Sequence, residues 1–266
     1  MFKKEFFSMC KELLTPLGFK RKGNGLYRIV NDVVQSIYLE CLGRNYYGRG
    51  YRVVFNANHF CTGPRLNNAL YELKKFKPWT GPFLFDRWFC QDSPEEIVSC
   101  VKEIKYYIEK YLIPFFNNTF DAASVLSEKI KVENTFIEKW KEGFILDGDE
   151  VPEYNQEGIS FPEEKYCLAI KACDFEYAQY ALEWILKVDI SAYEDSLTNT
   201  MYPPGYSERL KISIAENEKE LELIKNKNYE YFKDYFTETE EKTRDFFRAQ
   251  KFIFFVTAED GSIQEK

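Results

Sequence analysis

The sequence has a single histidine, His59, and lacks the short motifs of several large enzyme classes. A Ser-His-Asp triad would have to use that histidine, and the GxSxG motif of many hydrolases does not occur. The P-loop motif GxxxxGK[ST] is also missing. The near match to the dinucleotide motif GxGxxG fails because Arg28 stands where the third glycine belongs. These gaps argue against most histidine-dependent hydrolases and common nucleotide-binding folds, and we expect no cofactor.

Long apolar runs and paired cysteines are missing too. The longest purely apolar run, Phe252 to Val256, is far shorter than the roughly 20 residues of a membrane-spanning helix, and the N-terminal segment is too charged for a signal peptide. The seven cysteines are an odd number and form no CxxC pair. Scattered cysteines are typical of reduced thiols, so we expect a cytoplasmic protein with no disulfide and no metal site. Because every apolar run is too short for a membrane span, we also expect no membrane partner.

Apolar and aromatic residues are abundant in the 266-residue chain. Hydrophobic residues make up 45% of it and aromatic residues 18%, with 24 phenylalanines and 19 tyrosines. Disordered chains are poor in aromatics, so this composition predicts a folded protein with an aromatic core, in one large domain or two smaller ones.

Charge is distributed unevenly behind a formal net charge of −7. Residues 1–65 hold eleven lysines and arginines against four acids, and the remaining residues hold 25 against 39. Such a split indicates either two surfaces that attract each other or a basic face that binds an anionic partner. The sequence leaves both interpretations open.

The chain begins with the pattern of one helix and a glycine-rich turn. Apolar residues recur at helical spacing over residues 2–14, and Thr15-Pro16 ends the helix because the residue before proline avoids the helical region. Three glycines at 18, 23 and 25 lie among basic residues. We expect them to form a turn that leads into a sheet and not a cradle for phosphate.

An antiparallel meander is predicted next. A strand over 26–30, a turn at Asn31-Asp32 and two longer strands joined by the loop 43–50 follow one another. One expected inward face comprises Val33, Ile37, Leu39 and Cys41, with Gln35 as a polar exception, and the other comprises Tyr51, Val53, Phe55, Ala57 and His59.

The segment up to residue 141 has mixed signals. A short helix is expected over 66–76 and a strand within 83–90. Ser93-Pro94-Glu95-Glu96 predicts a helix start, because serine caps a helix, proline fits its first position and Glu96 completes a capping box. That helix is expected to stop near Pro114, and another to cover 120–141.

An acidic segment divides the sequence. Residues 142–164 contain eight acids, no lysine or arginine, two prolines and three glycines, which indicates a linker. Beyond it lie a predicted helical hairpin over 163–188 and further helices, and the apolar tail 252–257 fits either a strand or a helix. We predict an α+β fold, with an antiparallel sheet meander packed by helices at 1–141, the linker at 142–164 and an all-helical C-terminal region at 165–266.

Two groups of residues are candidates for chemistry or binding. His59 and Cys61 lie two residues apart, so the histidine could act as base for a thiol nucleophile; a core or rim position is the alternative. A basic rim with stacking aromatics could bind an anion or nucleic acid. Its residues are Lys20, Arg21, Lys22, Arg44, Tyr46, Tyr47 and Arg49.

The N-terminal half contains a glycine-phenylalanine-basic turn, a strand that starts with a Tyr-Arg pair, and a later strand that contains Phe-Asn. The residues of these motifs are Gly18, Phe19, Lys20, Gly23, Tyr27, Arg28, Gln35, Phe55 and Asn56. In these motifs it resembles the bacterial domain-of-unknown-function family numbered 4304. The resemblance implies an α+β domain with no established reaction, and by looser analogy an immunity-type partner of a toxin.

These observations favour a non-enzymatic protein-binding module, of immunity type by the resemblance. We expect a protein partner, of basic character because the second half of the chain is acidic. The alternatives are an enzyme whose site lies near His59 and Cys61, and binding of an anion or nucleic acid by the basic rim.

Overall fold

The computed structural model describes residues 2–45, 48–64, 71–72, 88–90, 93–131, 134, 161–199, 201–258 and 262–265, with the backbone alone at 41–45, 48–50, 71–72 and 88–90. It confirms the predicted α+β fold. Tyr46, Tyr47 and residues 142–160 of the predicted linker lie outside this part of the chain.

The described strands form one sheet of eight. They are β1 (Lys20–Lys22), β2 (Gly25–Val30), β3 (Val33–Asn45), β4 (Gly48–His59), β5 (Tyr71–Glu72), β6 (Trp88–Cys90), β7 (Phe254–Thr257) and β8 (Ile263–Glu265). Its main path runs β5-β4-β3-β2-β7-β8, with β1 paired to β2 and β6 to β4. The long hairpin of β3 and β4 therefore forms the centre of the sheet.

The meander from β1 to β4 is antiparallel, as predicted. Gly23 turns the chain between β1 and β2 with φ of +61°, and Asn31 and Asp32 turn it between β2 and β3 with φ of 47° and 65°. Asparagine and aspartate tolerate this left-handed region better than most residues. The glycine-rich segment is thus a turn that leads into a sheet.

The end of the chain adds the one parallel pair of the described sheet. β7 lies parallel to β2, with Ile29 opposite Phe254 and Val30 opposite Phe255, and β8 then pairs antiparallel with β7. The apolar tail is therefore a strand. The sheet is mixed, and the C-terminal region is helical up to β7 and not throughout.

One prediction between the sheet and the linker is corrected. Residues 71–72 of the predicted helix 66–76 are β5, because their backbone pairs with β4. The helix that starts at Pro94 ends close to Pro114, as predicted: it passes through a π-helical segment at Ile108–Leu112, and its last α-helical segment is Ile113–Asn117.

The helices cover much of the sheet and build the C-terminal region. They are α1 (Phe2–Leu14), α2 (Pro94–Tyr107), α3 (Ile113–Asn117), α4 (122–131), α5 (Pro162–Lys171), α6 (Phe175–Thr198), α7 (Tyr206–Lys225) and α8 (Thr237–Ala249). The predicted helices at the N-terminus and after Ser93 are confirmed. The predicted hairpin over 163–188 is confirmed as α5 and α6, but α6 runs ten residues beyond Val188 to Thr198.

One large apolar cluster joins residues from both sides of the acidic segment. It includes Phe6 of α1, Phe55 of β4, Leu168 of α5 and Ile224 of α7. A smaller cluster of Ile29, Val34, Phe60 and Phe247 lies where β2, β3 and α8 meet. The division of the chain into domains stays a prediction.

Within the described residues, every helix is too short or too polar to cross a membrane.

Candidate functional site

The basic triplet Lys20-Arg21-Lys22 forms β1, and its side chains are exposed. Two of them lie over aromatic rings: the Arg21 guanidinium is 4.0 Å from the centre of the Phe7 ring, and Lys22 Nζ is 4.0 Å from that of Phe252. Lys22 Nζ also donates a 2.7 Å hydrogen bond to the Gln250 carbonyl. These cation–π contacts hold β1 against α1 and the segment after α8.

The other members of the predicted rim are described only in part. Arg44 and Arg49 lie on β3 and β4 by their backbone, and β2 and β3 separate β1 from β4 in the sheet. Their side chains, and Tyr46 and Tyr47, lie outside the described residues. Whether the seven residues share one surface stays a prediction.

A groove of about 630 Å³ lies between α1 and β1. Its lining residues are Lys3, Lys4, Phe7, Ser8, Lys11, Thr15, Arg21 and Leu26. Arg21 belongs to the predicted rim, whereas the three lysines of α1 were not among its residues. Their signal in the sequence is the helical spacing of Lys4, Ser8, Lys11 and Thr15, which places polar side chains on one face.

His59 ends β4, and Cys61 lies in the 3₁₀ turn Phe60–Thr62; both are buried. His59 Nδ1 accepts a 3.1 Å hydrogen bond from the Cys61 backbone N–H, which caps this turn. The Cys61 thiol instead points to the Cys167 carbonyl, with Sγ 3.8 Å from the oxygen. The structure brings the two residues together, but through a turn and not through a contact of imidazole with thiol.

The electrostatics of this pair oppose catalysis by a thiolate. Burial, and then the positive charge of Lys171, lower the pKa of His59 to about 4. Burial also raises the pKa of the Cys61 thiol well above its usual value. A nucleophilic cysteine needs a lowered thiol pKa and a base that can accept its proton. Both residues therefore have the properties of core residues.

A carboxylate of α8 joins this region to α5. Glu240 Oε1 lies 2.6 Å from Lys171 Nζ and 3.8 Å from His59 Nδ1. The lysine contact is an ion pair by distance, although the same oxygen accepts no hydrogen bond of normal geometry within the described residues. The contact attaches α8 to α5 beside the end of β4.

A second polar cluster is almost completely buried. Lys129 of α4 and Glu164 of α5 form a 2.7 Å ion pair whose side chains are 1% and 4% exposed. Lys129 Nζ also donates to the side-chain oxygens of Asn56, at 3.2 Å, and Asn58, at 3.1 Å, on β4. The next residue, Lys165, is also buried, and burial followed by repulsion from Lys129 lowers its pKa to about 7. This cluster connects the sheet with the helices on either side of the acidic segment.

A third buried cation lies in the hairpin of β2 and β3. Arg28 is 2% exposed, and its Nε and Nη2 donate to Gln35 Oε1 at 2.8 and 2.5 Å. Gln35 Nε2 in turn donates to the carbonyls of Phe116, at 2.7 Å, and Thr119, at 2.6 Å. Burial lowers the pKa of Arg28 to about 10. The polar exception on the predicted inward face is thus the acceptor for a buried guanidinium.

α6 and α7 form an antiparallel hairpin whose outer part, residues 187–222, we call the arm. None of its described side chains is buried; the buried residues of the two helices all lie at the other end of the hairpin. Within the arm, Ser213 Oγ donates a 3.1 Å hydrogen bond to Asp189 Oδ2, which fixes the pairing of the helices. The arm is a two-helix layer.

An apolar stripe runs along α6 from the core into the arm. Leu186, Ile190, Tyr193 and Leu197 follow one another at four- and three-residue steps, the spacing of a single helix face. The exposed fraction is 7% at Leu186, 39% at Ile190 and 62% at Leu197, with Tyr193 half-buried between the last two, and Met201 beyond the helix is 90% exposed. The face that the core covers at one end of α6 is therefore open at the other.

The described residues offer no ready-made metal centre: among them, no group of three or more His, Cys, Asp or Glu side chains could hold an ion. The buried cations serve to join elements of the fold. The groove and the arm remain as surfaces that a ligand or partner could reach.

Comparison with known proteins was made for sequence and for structure. No family model, curated protein or solved structure matches this chain. The resemblance to the family numbered 4304 therefore stays a prediction.

Proposed function

We propose that the protein is a non-enzymatic protein-binding module and that the arm is its binding surface. The observation that supports this most is the stripe from Leu186 to Leu197. Contiguous exposed apolar surface is uncommon on soluble monomers, and an amphipathic helix with an uncovered apolar face is a common element of protein interfaces.

The face of α6 that packs against α7 differs from the face that carries Ile190 and Leu197. Asp189 faces α7 through its hydrogen bond to Ser213, and Leu182 and Ile185 precede it at the same helical spacing. Ile190 and Leu197 lie about 100° and 80° from Asp189 around the helix, whereas Tyr193 lies only about 40° from it. α7 therefore does not need Ile190 or Leu197 for its own packing.

The charge of the arm favours a basic partner. Residues 187–222 contain eight acids and four bases, and Glu194 and Asp195 lie on the turn before Leu197. Acidic groups around an apolar stripe attract a partner with apolar residues inside a basic rim, and they repel acidic competitors. This agrees with the acidic character of the chain after residue 65.

The enzyme alternative is less well supported. It required a reactive pair at His59 and Cys61. Both side chains are buried, and burial lowers the pKa of His59 and raises the pKa of the Cys61 thiol, so the histidine is a weak base and the thiol stays neutral. A thiol held in its neutral form is a poor nucleophile.

Paired variants test the binding surface. The protein would be tagged in its native host, the recovered partner purified, and its affinity measured by calorimetry for the wild type, for Ile190→Ser with Leu197→Ser, and for Val98→Ser. Val98 is 65% exposed on α2, so its variant is a matched control. We expect the double variant to bind about 10- to 100-fold more weakly, as for two interface anchors, and the control to bind normally.

Two results would contradict the proposal. One is equal loss of binding in the control and the double variant. The other is a wild type that forms dimers in light scattering and becomes monomeric in the double variant, because the stripe would then be a contact between two copies of this chain.

The immunity-type role is the finer part of the proposal, and it rests on the resemblance. Its test is co-expression of the chain with the product of a neighbouring gene. A toxic product that the wild type neutralises and the Ile190→Ser, Leu197→Ser variant does not would support it; a product without toxicity would leave only the general binding role.

A further inference from the structure

We propose that the groove between α1 and β1 binds a ligand through a chain of phosphate groups. Four cations line it, Lys3, Lys4, Lys11 and Arg21, together with the hydroxyls of Ser8 and Thr15 and no carboxylate. Its volume of about 630 Å³ falls within the range of small-ligand sites, roughly 300–1,000 Å³. Lysine, arginine and hydroxyl groups are the usual side-chain partners of phosphate oxygens.

The geometry of α1 separates its cations from its acids. At about 100° per residue, the lining residues from Lys3 to Thr15 occupy a sector of about 140°, and Glu5 and Glu12 lie outside it. Glu12 is also engaged, because Lys105 Nζ lies 3.2 Å from its carboxylate. The charge on the groove is therefore positive along its whole length.

Two of the cations are held in place before any ligand arrives. Arg21 lies over the Phe7 ring, and Lys3 Nζ donates a 2.6 Å hydrogen bond to Asn24 Oδ1. Lys4 and Lys11 are exposed, and neither forms an ion pair with any residue in the described ranges. They lie two turns apart on α1, so the groove fits an extended anion better than a single phosphate.

The floor of the groove distinguishes between classes of anion. Phe7 and Leu26 are 5% and 2% exposed, and Arg21 covers the Phe7 ring. Because Arg21 covers the only aromatic ring among the described residues that line the groove, a nucleobase has no open ring to stack on there, whereas a phosphate chain needs only charge and hydroxyl donors. A phosphate chain, inorganic or part of a nucleotide, is therefore favoured over a single-stranded nucleic acid.

Calorimetric titration of the full chain at low salt tests the site. The probes are inorganic tripolyphosphate, ATP, hexaglutamate and a single-stranded RNA. We expect tripolyphosphate to bind, and to bind more weakly as salt rises. Lys4→Glu with Lys11→Glu is expected to weaken it about tenfold or more. Lys102→Glu with Lys227→Glu, at exposed lysines outside both the groove and the arm, is expected to leave it unchanged.

The titrations either support or contradict the binding of a phosphate chain in the groove. Equal binding of tripolyphosphate and ATP supports an inorganic chain, and tighter binding of ATP supports a nucleotide. No binding of either, binding of hexaglutamate or of RNA alone, or equal loss in both double variants would overturn the proposal. Circular dichroism and thermal melting show whether the variants are folded. The arm variants are expected to bind tripolyphosphate normally, so this site and the protein-binding surface can fail independently.

Discussion

Replacing Lys165 by methionine is expected to make the protein more stable at neutral pH, by an amount that shrinks as the pH rises. Lys165 is 2% exposed, and burial together with the neighbouring Lys129 lowers its pKa from the usual 10.5 to about 7. Between these values the unfolded chain binds the lysine proton and the folded chain does not. The free energy of unfolding of the wild type therefore rises with pH across this window.

The magnitude follows from the two pKa values. The gap from 10.5 to about 7 corresponds, at about 1.36 kcal/mol per pKa unit, to roughly 5 kcal/mol against the charged form in the folded state. At pH 6 most of this free energy destabilises the folded wild type, and at pH 9.5 the destabilisation has fallen to roughly 1.5 kcal/mol. Methionine has no charge to desolvate, so its advantage over lysine is expected to fall by about 3 kcal/mol over that interval.

Urea unfolding at pH 6 and pH 9.5 measures this change. The comparison includes Lys165→Arg, which stays charged at both pH values and is expected to remain destabilised. Titration of tyrosines and cysteines in the unfolded chain is common to all three proteins and cancels in the differences. A gap between wild type and Lys165→Met that is constant with pH, or a wild type that is the more stable at pH 6, would refute the reasoning.

Three further substitutions test the other buried polar groups by urea unfolding. Gln35→Leu removes the acceptor of two Arg28 hydrogen bonds and is expected to lower the free energy of unfolding by about 2–4 kcal/mol; a loss below about 1 kcal/mol would contradict this role. Glu164→Gln leaves the Lys129 ammonium without its carboxylate and is expected to cost about 3–5 kcal/mol, whereas a loss below about 1 kcal/mol would show that the ion pair is dispensable. As the pH falls from 6.5 to 4, the free energy of unfolding of the wild type is expected to fall by about 3 kcal/mol more than that of His59→Gln, because His59 is protonated at higher pH in the unfolded chain than in the folded one. Parallel pH curves for the two proteins would contradict this.

The sheet could be predicted from local pattern as far as its hairpins extend. The turn at Asn31-Asp32 fixes the register of β2 against β3, and a two-residue turn there places Arg28 opposite Gln35. The position of Arg28 opposite Gln35 therefore follows from the turn, although the sequence does not indicate that the arginine is buried. Gln35 also donates to the carbonyls of Phe116 and Thr119, which come from about 80 residues further along and have no local signal.

Long-range contacts account for what the sequence did not predict. Asn56, Asn58, Lys129 and Glu164 come from three separate elements, and nothing in the spacing of these residues indicates that they meet. The tail 252–257 fitted a strand or a helix equally well, and its pairing with β2 decided the outcome. The second helix of the predicted hairpin was expected to end at Val188, although helical spacing of apolar residues continues to Leu197.

The parallel pairing of β7 with β2 has a consequence for synthesis on the ribosome. The strand that completes β2 is made more than 220 residues after it, which at about 5–20 residues per second is a delay of roughly 10 to 45 seconds. During that interval the nascent chain carries an open β edge beside Ile29, and Phe247, its later cover, does not yet exist. Because β1 already pairs with β2 at Gly25, Leu26 and Tyr27, the open edge is confined to the end of β2 at Ile29 and Val30. A polypeptide that stops before Phe254 is expected to keep this short edge open to pairing with other chains.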